Sequence, residues 1–445
     1  MFRRFITALY LGIAVLSVLP AWAQNTSNYA GIAIDASGEL KMVSSVDPTL
    51  KAQALTAEKA LGTDLYKPVD YRYISLNRLE KTIEDNNFVV TDEMKYLAGL
   101  QRVEYVFYLP ESNDVVIAGP AEGWVRDSVT DRVIGVKSGR PVVQLQDLVA
   151  ALRLYAPEED DPGVIGCTID PTQEGLERMQ KFIRSIRPNQ INVSYIRNGL
   201  VTSLGMHQVR IFGVNPNTHF AKVLVEADYR MKLIGIGLEK SPAAVKTFIS
   251  AASASEVSNN ALCRWYFVPN YECVRMSPDG NAMKIEGQGV KLVGEDEVVT
   301  RSGDRRSTAG SQNRASRVFT TSFTQRYEKV ATVCPVYAEL RNLIDLSIVA
   351  AYMRQQDIFG KANWTMPVFG DEGKFAIETS SAPKFAPSAC AAYSKGGRLM
   401  TPIGGGVEIH PAVALNQENL ISNEDKSVEQ TKQTVVIPEG RWWWN

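Results

Sequence analysis

Hydrophobic residues follow two periods along this chain. Alternation of apolar and polar residues over Tyr29–Ser45 predicts a β-hairpin that turns at Ser37 and Gly38. The β-branched and aromatic runs Val103–Leu109 and Asp114–Ala118 predict a second hairpin. Apolar positions three and four apart predict helices around these strands. The predicted helices cover Pro48–Leu61, the residues after a cap at Ser75 through Asp85, the residues after a cap at Thr91 through Leu100, and the latter part of Pro141–Leu154.

The second half of the chain mixes the same two periods. A strand over Val164–Ile169 precedes a helix for which Asp170 is the predicted N-cap and Pro171 the first residue. Thr218 caps the helix within Thr218–Glu239. Further helices are predicted over Ser241–Ala252, Phe323–Val333 and Pro335–Ile358, and further strands over Val209–Val214, Met283–Leu292, Lys374–Thr379, Arg398–Ile409 and an aromatic hairpin, Cys263–Met276. The polar residues 301–316 predict a mobile loop and residues 416–438 an extended tail.

This order of elements predicts the fold class. Hairpins and helices are interspersed without steady β-α alternation, which favours an α+β fold with mixed or antiparallel sheets and packed helices. The acidic, breaker-rich stretch Pro157–Gly163 is the best boundary between two subdomains. The predicted organisation is a signal peptide (1–23), an N-terminal subdomain (24–156), a C-terminal subdomain (157–415) and a polar tail (416–445) that ends in a tryptophan triplet.

The first 23 residues have the pattern of a secretory signal peptide. Arg3 and Arg4 precede an apolar segment from Phe5 to Leu19, and a small-x-small exit ends at Ala23. We expect cleavage after Ala23, which assigns the mature protein to the periplasm, the cell surface or the medium. The alternative is an uncleaved anchor, but the apolar segment is short for a membrane span.

Charge and hydropathy argue against two classes of protein. The chain has 48 basic and 49 acidic residues, and loss of Arg3 and Arg4 leaves 46 against 49, a net charge of −3. A nucleic-acid-binding protein usually carries a strong basic excess, so no nucleic-acid partner is expected. The best later apolar segment, Leu340–Met353, contains Arg341 and Asp345, so no transmembrane segment is expected after signal cleavage.

The chain has five cysteines, an odd number, and export would place them in an oxidising compartment. Cys263 and Cys273 flank the predicted aromatic hairpin. A turn at Pro269 and Asn270 would place Cys273 opposite Tyr266, so a Cys263–Cys273 disulfide needs an off-centre loop. We expect buried thiols with or without one disulfide. The remaining cysteines are Cys167, Cys334 and Cys390.

The strongest candidate for chemistry is the pair His219 and Glu226. The two residues lie seven positions apart and share one helix face, where an imidazole and a carboxylate can bind a metal or transfer a proton. The alternative is a solvated helix face, because opposite charges recur four positions apart in the pairs Lys222–Glu226, Glu226–Arg230 and Asp228–Lys232. A metal site needs three or more ligands, and the chain has only two further histidines, His207 and His410. Neither a metal nor another cofactor is therefore predicted.

Two other motifs have an open interpretation. A Cys–His nucleophile built on Cys167 or Cys334 is possible, although no Gly-x-Ser-x-Gly elbow is present. The glycines Gly404–Gly406 lie inside a predicted strand, so a bulge or a close backbone approach is favoured over a phosphate-binding loop.

The tryptophan triplet is a candidate docking element. Trp442, Trp443 and Trp444 can dock on a partner or a membrane surface, because indole rings are amphipathic and frequent at interaction hot spots. The alternative is that the tail folds back and covers an apolar patch of its own chain.

Eight stretches together resemble an exported bacterial family of planctomycete type, the domain-of-unknown-function family 1598. They span roughly residues 95–410 and are Asp114–Trp124, Ser138–Leu148, Gly166–Met179, Thr218–Glu239, Trp265–Val274, Gly289–Asp296, Pro335–Asp345 and Arg398–Val407. The resemblance implies a single family-wide domain with export signals and carries no assigned activity, cofactor or catalytic residue.

These observations predict an exported envelope or secreted protein that acts as a binding or structural component. Its expected partner is an envelope or extracellular protein or a glycan. The alternative is a secreted hydrolase with an unfamiliar site, built on His219 and Glu226 or on a Cys–His pair. A third possibility, an inhibitor or chaperone of exported proteins, would use the tryptophan tail.

Overall fold

The strands pair into two seven-stranded sheets and two two-stranded sheets. The computed structural model describes residues 29–157, 159, 162–187, 193–252, 261–302, 304–307, 313–388 and 403–445. The strands are β1 (Gly31–Ile34), β2 (Leu40–Val43), β3 (Val69–Ser75), β4 (Tyr105–Leu109), β5 (Asp114–Ala121), β6 (Trp124–Asp127), β7 (Arg132–Gly135), β8 (Ile165–Asp170), β9 (His207–Phe212), β10 (Ala261–Pro269), β11 (Val274–Met276), β12 (Ala282–Ile285), β13 (Val290–Val299), β14 (Arg305–Ser307), β15 (Phe385–Ala386), β16 (Ile403–Ile409), β17 (Leu420–Ile421) and β18 (Trp443–Trp444).

Helices cover the sheets and fill the space between them. The α-helices are α1 (Leu50–Leu61), α2 (Thr63–Tyr66), α3 (Leu76–Asp85), α4 (Asp92–Lys95), α5 (Leu145–Leu154), α6 (Gln173–Ser185), α7 (Val193–Leu204), α8 (His219–Gly235), α9 (Phe248–Ala251), α10 (Arg314–Gln325), α11 (Tyr327–Val333), α12 (Pro335–Gln355), α13 (Ile358–Lys361) and α14 (Ser427–Gln433). Short 3-10 turns add Leu97–Gly99, Pro242–Ala244, Pro411–Leu415 and Gln417–Asn419. Together with the mixed sheets, these helices confirm the predicted α+β fold class.

Sheet I has the strand order β17-β11-β12-β4-β5-β3-β18, and sheet II has the order β14-β13-β10-β16-β8-β9-β15. Each sheet is mixed: β17 and β11 pair in parallel in sheet I, β10 and β16 pair in parallel in sheet II, and the other pairs are antiparallel. Sheet I combines strands from the first third of the chain with β11, β12 and the tail. The predicted division into subdomains at residue 157 stays a prediction.

Two central helices join the sheets into one core. The side chains of α12 are buried from Val336 to Met353, and this helix packs on α5 and α8. Helix α8 lies between α12 and sheet II, where it contacts β8 and β16. Thr218 caps α8 as predicted, because its hydroxyl accepts a hydrogen bond from the Ala221 amide. Helix α8 is therefore surrounded by protein along most of its length.

The burial of α8 corrects the prediction of a solvated face. Glu226, Asp228, Arg230 and Lys232 are at most 2% exposed. The charges are compensated internally, since Lys232 Nζ lies 2.7 Å from Asp228 Oδ2 and Arg230 Nη1 lies 3.2 Å from Glu226 Oε1. The four-residue charge spacing thus describes buried ion pairs, not a surface exposed to water.

Several predicted elements are confirmed. The first hairpin forms between β1 and β2, and the second forms between β4 and β5. Ser75 caps α3 through a hydrogen bond from the Arg78 amide. The predicted close backbone approach explains why glycine is needed in β16, because a Cβ atom on Gly405 would lie 1.9 Å from the carbonyl oxygen of Trp265.

The predicted aromatic hairpin over residues 263–276 is wrong. β10 pairs with β13 and β16 in sheet II, whereas β11 pairs with β12 and β17 in sheet I. The chain therefore crosses between sheets at the expected turn. Cys273 is buried there as a thiol and forms no bridge to Cys263. Cys390 lies outside the described residues.

Four further predictions need correction. The N-cap of α6 is Thr172, because the Asp170 carboxylate binds Arg264 instead. The helix predicted over 241–252 is reduced to a 3-10 turn and the short α9. Within the predicted mobile loop 301–316, Arg305–Ser307 pairs with β13 and α10 begins at Arg314. The tail predicted as extended contains α14.

The predicted strand over Lys374–Thr379 is also absent. This segment is irregular, since the Arg153 guanidinium donates hydrogen bonds to the carbonyl oxygens of Phe369 and Phe375, each at 2.6 Å. A strand partner would have to satisfy the same groups.

Of the helices in the described ranges, none combines the length and apolarity that crossing a bilayer requires.

Candidate ligand-binding site

A groove of about 410 Å³ opens beside the N-terminus of α5. Its wall contains aromatic and aliphatic side chains, and its rim contains three basic and two acidic side chains. The groove, as we use the term, is lined by Phe88, Val90, Lys95, Tyr96, Arg126, Asp131, Val133, Gln144, Leu145, Gln146, Gly373, Lys374, Phe375, Ala376 and Glu378.

The backbone at the mouth of the groove is strained. Asn87 and Phe88 both have positive φ angles, 54° and 62°. A bulky side chain rarely adopts this conformation, which costs on the order of 1–3 kcal/mol per residue. Phe88 is 42% exposed and lines the groove.

The rim charges are partly compensated. Lys95 Nζ lies 2.8 Å from Glu378 Oε1, and this hydrogen bond raises the pKa of Lys95. Arg126 pairs with Asp131. The third cation, Lys374, donates to the Pro367 carbonyl at 2.9 Å. The rim therefore carries one more positive charge than its carboxylates neutralise.

The floor of the groove continues into a chain of polar side chains. His219 Nδ1 lies 2.8 Å from Asp147 Oδ2, and His219 Nε2 lies 3.3 Å from the amide nitrogen of Gln144. The Gln146 amide nitrogen donates to Gln144 Oε1 at 2.6 Å. Gln146 Oε1 is buried and has no hydrogen-bond partner among the described residues. His219 is thus linked to the groove through two glutamines.

The charge state of His219 depends on opposing effects. Burial disfavours the charged ring, but the nearby Asp147 carboxylate outweighs burial and raises the pKa of His219 above its ordinary value of 6.5. Asp147 lies on α5, so the contact also ties α5 to the N-terminus of α8.

The structure does not bring His219 and Glu226 together. Glu226 lies between two arginines, with its Oε2 2.6 Å from Arg132 Nη2 and its Oε1 3.2 Å from Arg230 Nη1. Burial would raise the pKa of Glu226, but the two guanidinium groups lower it. The partner of His219 is Asp147, a residue that the sequence analysis did not select.

Glu226 belongs to a buried ionic network. Arg132 also binds Glu339 at 2.9 Å, and Arg230 also binds Glu239 at 2.7 Å. The same two arginines donate to the backbone carbonyls of residues 29 and 30. The network therefore fixes the N-terminal segment against α8 and α12, which is a structural role.

His207, a second histidine considered for a Cys–His pair, has a different environment. His207 is fully buried, and burial lowers its pKa to about 3. Within the described ranges neither ring nitrogen of His207 has a hydrogen-bond partner, so no hydrogen bond joins it to Cys167. Burial also raises the pKa of the Cys167 thiol.

The tryptophan tail folds back onto the protein. Trp443 pairs with Ile74 and Trp444 with Tyr73, which makes β18 the edge strand of sheet I. The Trp443 indole donates to Glu93 at 2.5 Å, and Trp444 stacks on Tyr73 with ring centroids 5.7 Å apart. This is the intramolecular alternative of the sequence analysis.

A second cleft, of about 470 Å³, is more polar and lies at the start of α6. Its central carboxylate, Asp170, is held by Arg264 at 3.1 Å and by Arg305 at 3.5 Å. These pairings neutralise Asp170, so the groove is the better candidate site. Across the described portion of the chain, no three His, Cys, Asp or Glu side chains cluster in a way that could hold a metal ion.

The sequence signal for the groove was weak. Gln144, Gln146 and Asp147 lie in the helix start QLQDL, where the leucines dominated the pattern. A strand was predicted over Lys374–Thr379, although this segment is irregular and contributes Lys374, Phe375, Ala376 and Glu378 to the lining of the groove.

Comparisons with known proteins give a family without an assigned activity. Residues 167–248 match the model of a family described as protein of unknown function (DUF1598), which confirms the predicted resemblance over this range. No curated protein and no solved structure shows a significant match to the chain. The matched range includes His219 and Glu226, whereas the residues that line the groove lie outside it.

Proposed function

We propose that this DUF1598-like protein is exported and binds a small amphipathic molecule in the groove. The observation that carries the proposal is the groove itself, whose 410 Å³ volume falls in the range of about 300–1,000 Å³ that small-molecule sites occupy. Such sites combine apolar walls with a few polar groups, which is the composition found here.

The walls indicate the shape of the ligand. Phe88, Tyr96 and Phe375 can contact a flat apolar body, because aromatic rings stack or pack edge-to-face on one another. The extra positive charge of Lys374 at the rim favours an anionic or strongly polar end group. An aromatic carboxylate is the simplest molecule with both features.

The geometry favours binding over hydrolysis. Both ring nitrogens of His219 are engaged, one by Asp147 and the other by Gln144. A general base needs a nucleophile or a water within hydrogen-bond reach. Glu226 is held between Arg132 and Arg230, which suits a structural carboxylate better than an acid–base group.

Export rests on the sequence of residues 1–23. A basic start, a short apolar segment and Ala23 before the expected cut support a cleaved signal peptide. N-terminal sequencing of protein recovered from the envelope or the medium should begin at Gln24. A mature protein that begins at Met1 would contradict export by cleavage. We also expect the exported protein to contact an envelope protein or a glycan.

The binding proposal is tested with 2-naphthoate and isothermal titration calorimetry. Ala376 lies exposed on the groove, so Ala376→Trp fills the groove with little effect on the core. We expect this variant to weaken binding about tenfold or more, a change of about 1.4 kcal/mol. The matched control is Leu55→Trp, at a position on α1 that is 87% exposed. Equal affinity in wild type and Ala376→Trp, or no binding to wild type at millimolar probe, would contradict the proposal.

A further inference from the structure

Helices α6 and α7 form an antiparallel pair at a distance from the groove. At one end of the pair, Phe182 on α6 contacts Tyr195 on α7 with ring centroids 5.9 Å apart. At the other end, Arg178 on α6 donates to the Ser203 carbonyl on α7 at 2.9 Å. None of the side chains that line the groove belongs to either helix. The pair is therefore a separate part of the protein surface.

Positive charge is concentrated on this helix pair. Residues 178–204 include five basic residues and no acidic residue, although the whole chain has a net charge of −1. The five basic residues, all of them exposed, are Arg178, Lys181, Arg184, Arg187 and Arg197. In the described part of the chain, only Lys181 among them forms an ion pair, with Glu177 at 2.9 Å. The charge of the four arginines is therefore not compensated by carboxylates of the described residues.

Three of these arginines lie at the end of the pair where Phe182 contacts Tyr195. Arg184 and Arg197 are each two positions from that contact, which is about 3 Å along a helix axis, and Arg187 follows the last residue of α6 by two positions. A cation in the last turn of α6, such as Arg184, interacts favourably with the helix dipole. The dipole does not explain Arg197 in the second turn of α7, because a helix start favours anions. The basic end, as we use the term, consists of Arg184, Arg187, Tyr195 and Arg197.

We propose that the basic end docks on a membrane surface that contains anionic phospholipids. Guanidinium groups form charge-assisted hydrogen bonds with phosphate oxygens. Tyr195 is 50% exposed beside them, and an aromatic ring with a polar tip suits the headgroup region of a bilayer. The basic end lines neither the groove nor the polar cleft at α6, so an extended anionic surface fits it better than a small anion does.

The attraction to such a membrane is local, because the protein as a whole carries no positive net charge. Salt limits the range of exposed charges to about 10 Å at 0.1 M ionic strength. Within this range the basic end presents cations to the membrane, while the acidic residues elsewhere in the chain contribute little. Binding should therefore require anionic lipid and should weaken as the salt concentration rises.

The docking is tested by sedimentation of the mature exported protein with vesicles. Wild type should bind vesicles of phosphatidylcholine with about 30 mol% phosphatidylglycerol, but not vesicles of phosphatidylcholine alone. Arg184→Glu/Arg197→Glu should weaken binding about tenfold or more, because each cation near an anionic membrane contributes about a fivefold change in affinity. The matched control is Lys51→Glu/Lys59→Glu, which makes the same change in net charge at two exposed positions of α1 and should bind like wild type.

A third variant excludes a folding defect as the cause of a loss. Arg187 lies outside α6, so Arg187→Glu leaves the helix intact and should weaken binding about threefold or more. No preference of wild type for the anionic vesicles, unchanged binding in the Arg184→Glu/Arg197→Glu variant, or an equal loss in the α1 control would overturn the proposal. Binding to heparin without binding to vesicles would assign the surface to an anionic polysaccharide and would also overturn it. None of these results bears on ligand binding in the groove.

Discussion

Replacing Lys232 by methionine should expose the cost of burying charge inside α8. Lys232 is fully buried, and its ammonium group donates to Asp228 at 2.7 Å, to the Ile169 carbonyl at 2.9 Å and to the Gly405 carbonyl at 3.2 Å. Lys232→Met keeps most of the volume but leaves the Asp228 carboxylate without its cation. Removing one partner of a buried ion pair destabilises a protein by about 3–5 kcal/mol.

The pH dependence of that loss follows from Asp228. Burial raises the pKa of this carboxyl to about 6 even beside Lys232. An acid with a raised folded-state pKa stabilises the fold at low pH, and this contribution is lost as pH rises to the folded-state value. Without Lys232 the pKa should rise further. The variant should therefore lose more stability at pH 8 than at pH 5, where Asp228 is already largely protonated.

Guanidinium-induced unfolding, followed by tryptophan fluorescence at both pH values, measures this effect. Lys222→Met on the same helix is the control and should change the free energy of unfolding by about 0.5 kcal/mol or less. Asp228→Asn in the Lys232→Met background removes the uncompensated charge and should recover about 1–3 kcal/mol. A loss below about 1 kcal/mol at pH 8, or an equal loss at both pH values, would refute the reasoning.

Three further outcomes are expected. Trp444→Ala should lower the free energy of unfolding by about 3 kcal/mol in a denaturant titration, because the ring is largely buried; a loss below about 1 kcal/mol would show that the tail is not docked. Asp147→Asn should lower the pKa of His219. In the wild type, the raised pKa of His219 contributes to the free energy of unfolding at pH 5.5, and this contribution is lost as pH rises through the folded-state pKa; the variant should lack it. An unchanged pH dependence of the free energy of unfolding would contradict the pairing. Cys167 and Cys273 should react with a thiol reagent only after denaturation, since both are fully buried and burial raises the pKa of Cys273 to about 12; rapid labelling of the native protein would contradict this.

Local signals in the sequence were sufficient for the parts of the fold that local physics determines. Ser75 and Thr218 cap their helices where predicted, because a hydroxyl beside the first turn satisfies a backbone amide whatever surrounds it. The first two hairpins depend on short turns and on alternation, which are also local. The mixed α+β class follows from the order of such elements.

Long-range pairing could not be predicted in this way. An aromatic strand such as β10 has the same pattern whether its neighbour comes next in the chain or from β16, more than a hundred residues later. The sequence therefore favoured a hairpin where the chain changes sheets. The charged spacing on α8 was ambiguous for a related reason, since Lys232 and Asp228 stabilise a buried helix and an exposed one with the same four-residue separation.

The candidate site was predicted only at one position. His219 was selected for its chemistry, and it does contact a carboxylate, but Asp147 lies 72 positions away in the chain. Nothing in the spacing of single residues links two such positions. The groove also depends on an irregular segment held by Arg153, and irregular backbone has no periodic pattern that could identify it.

The docking of the tail has a consequence for the order in which the fold is completed. Arg72 on β3 binds Asn445 across 373 positions of sequence. Until the C-terminal segment docks, the outer edge of β3 lacks the strand partner that β18 provides. An open strand edge pairs readily with other chains. The C-terminal segment therefore protects the edge of β3. Chains that end before Trp443 should aggregate or be degraded during biogenesis even when the groove and the core are intact.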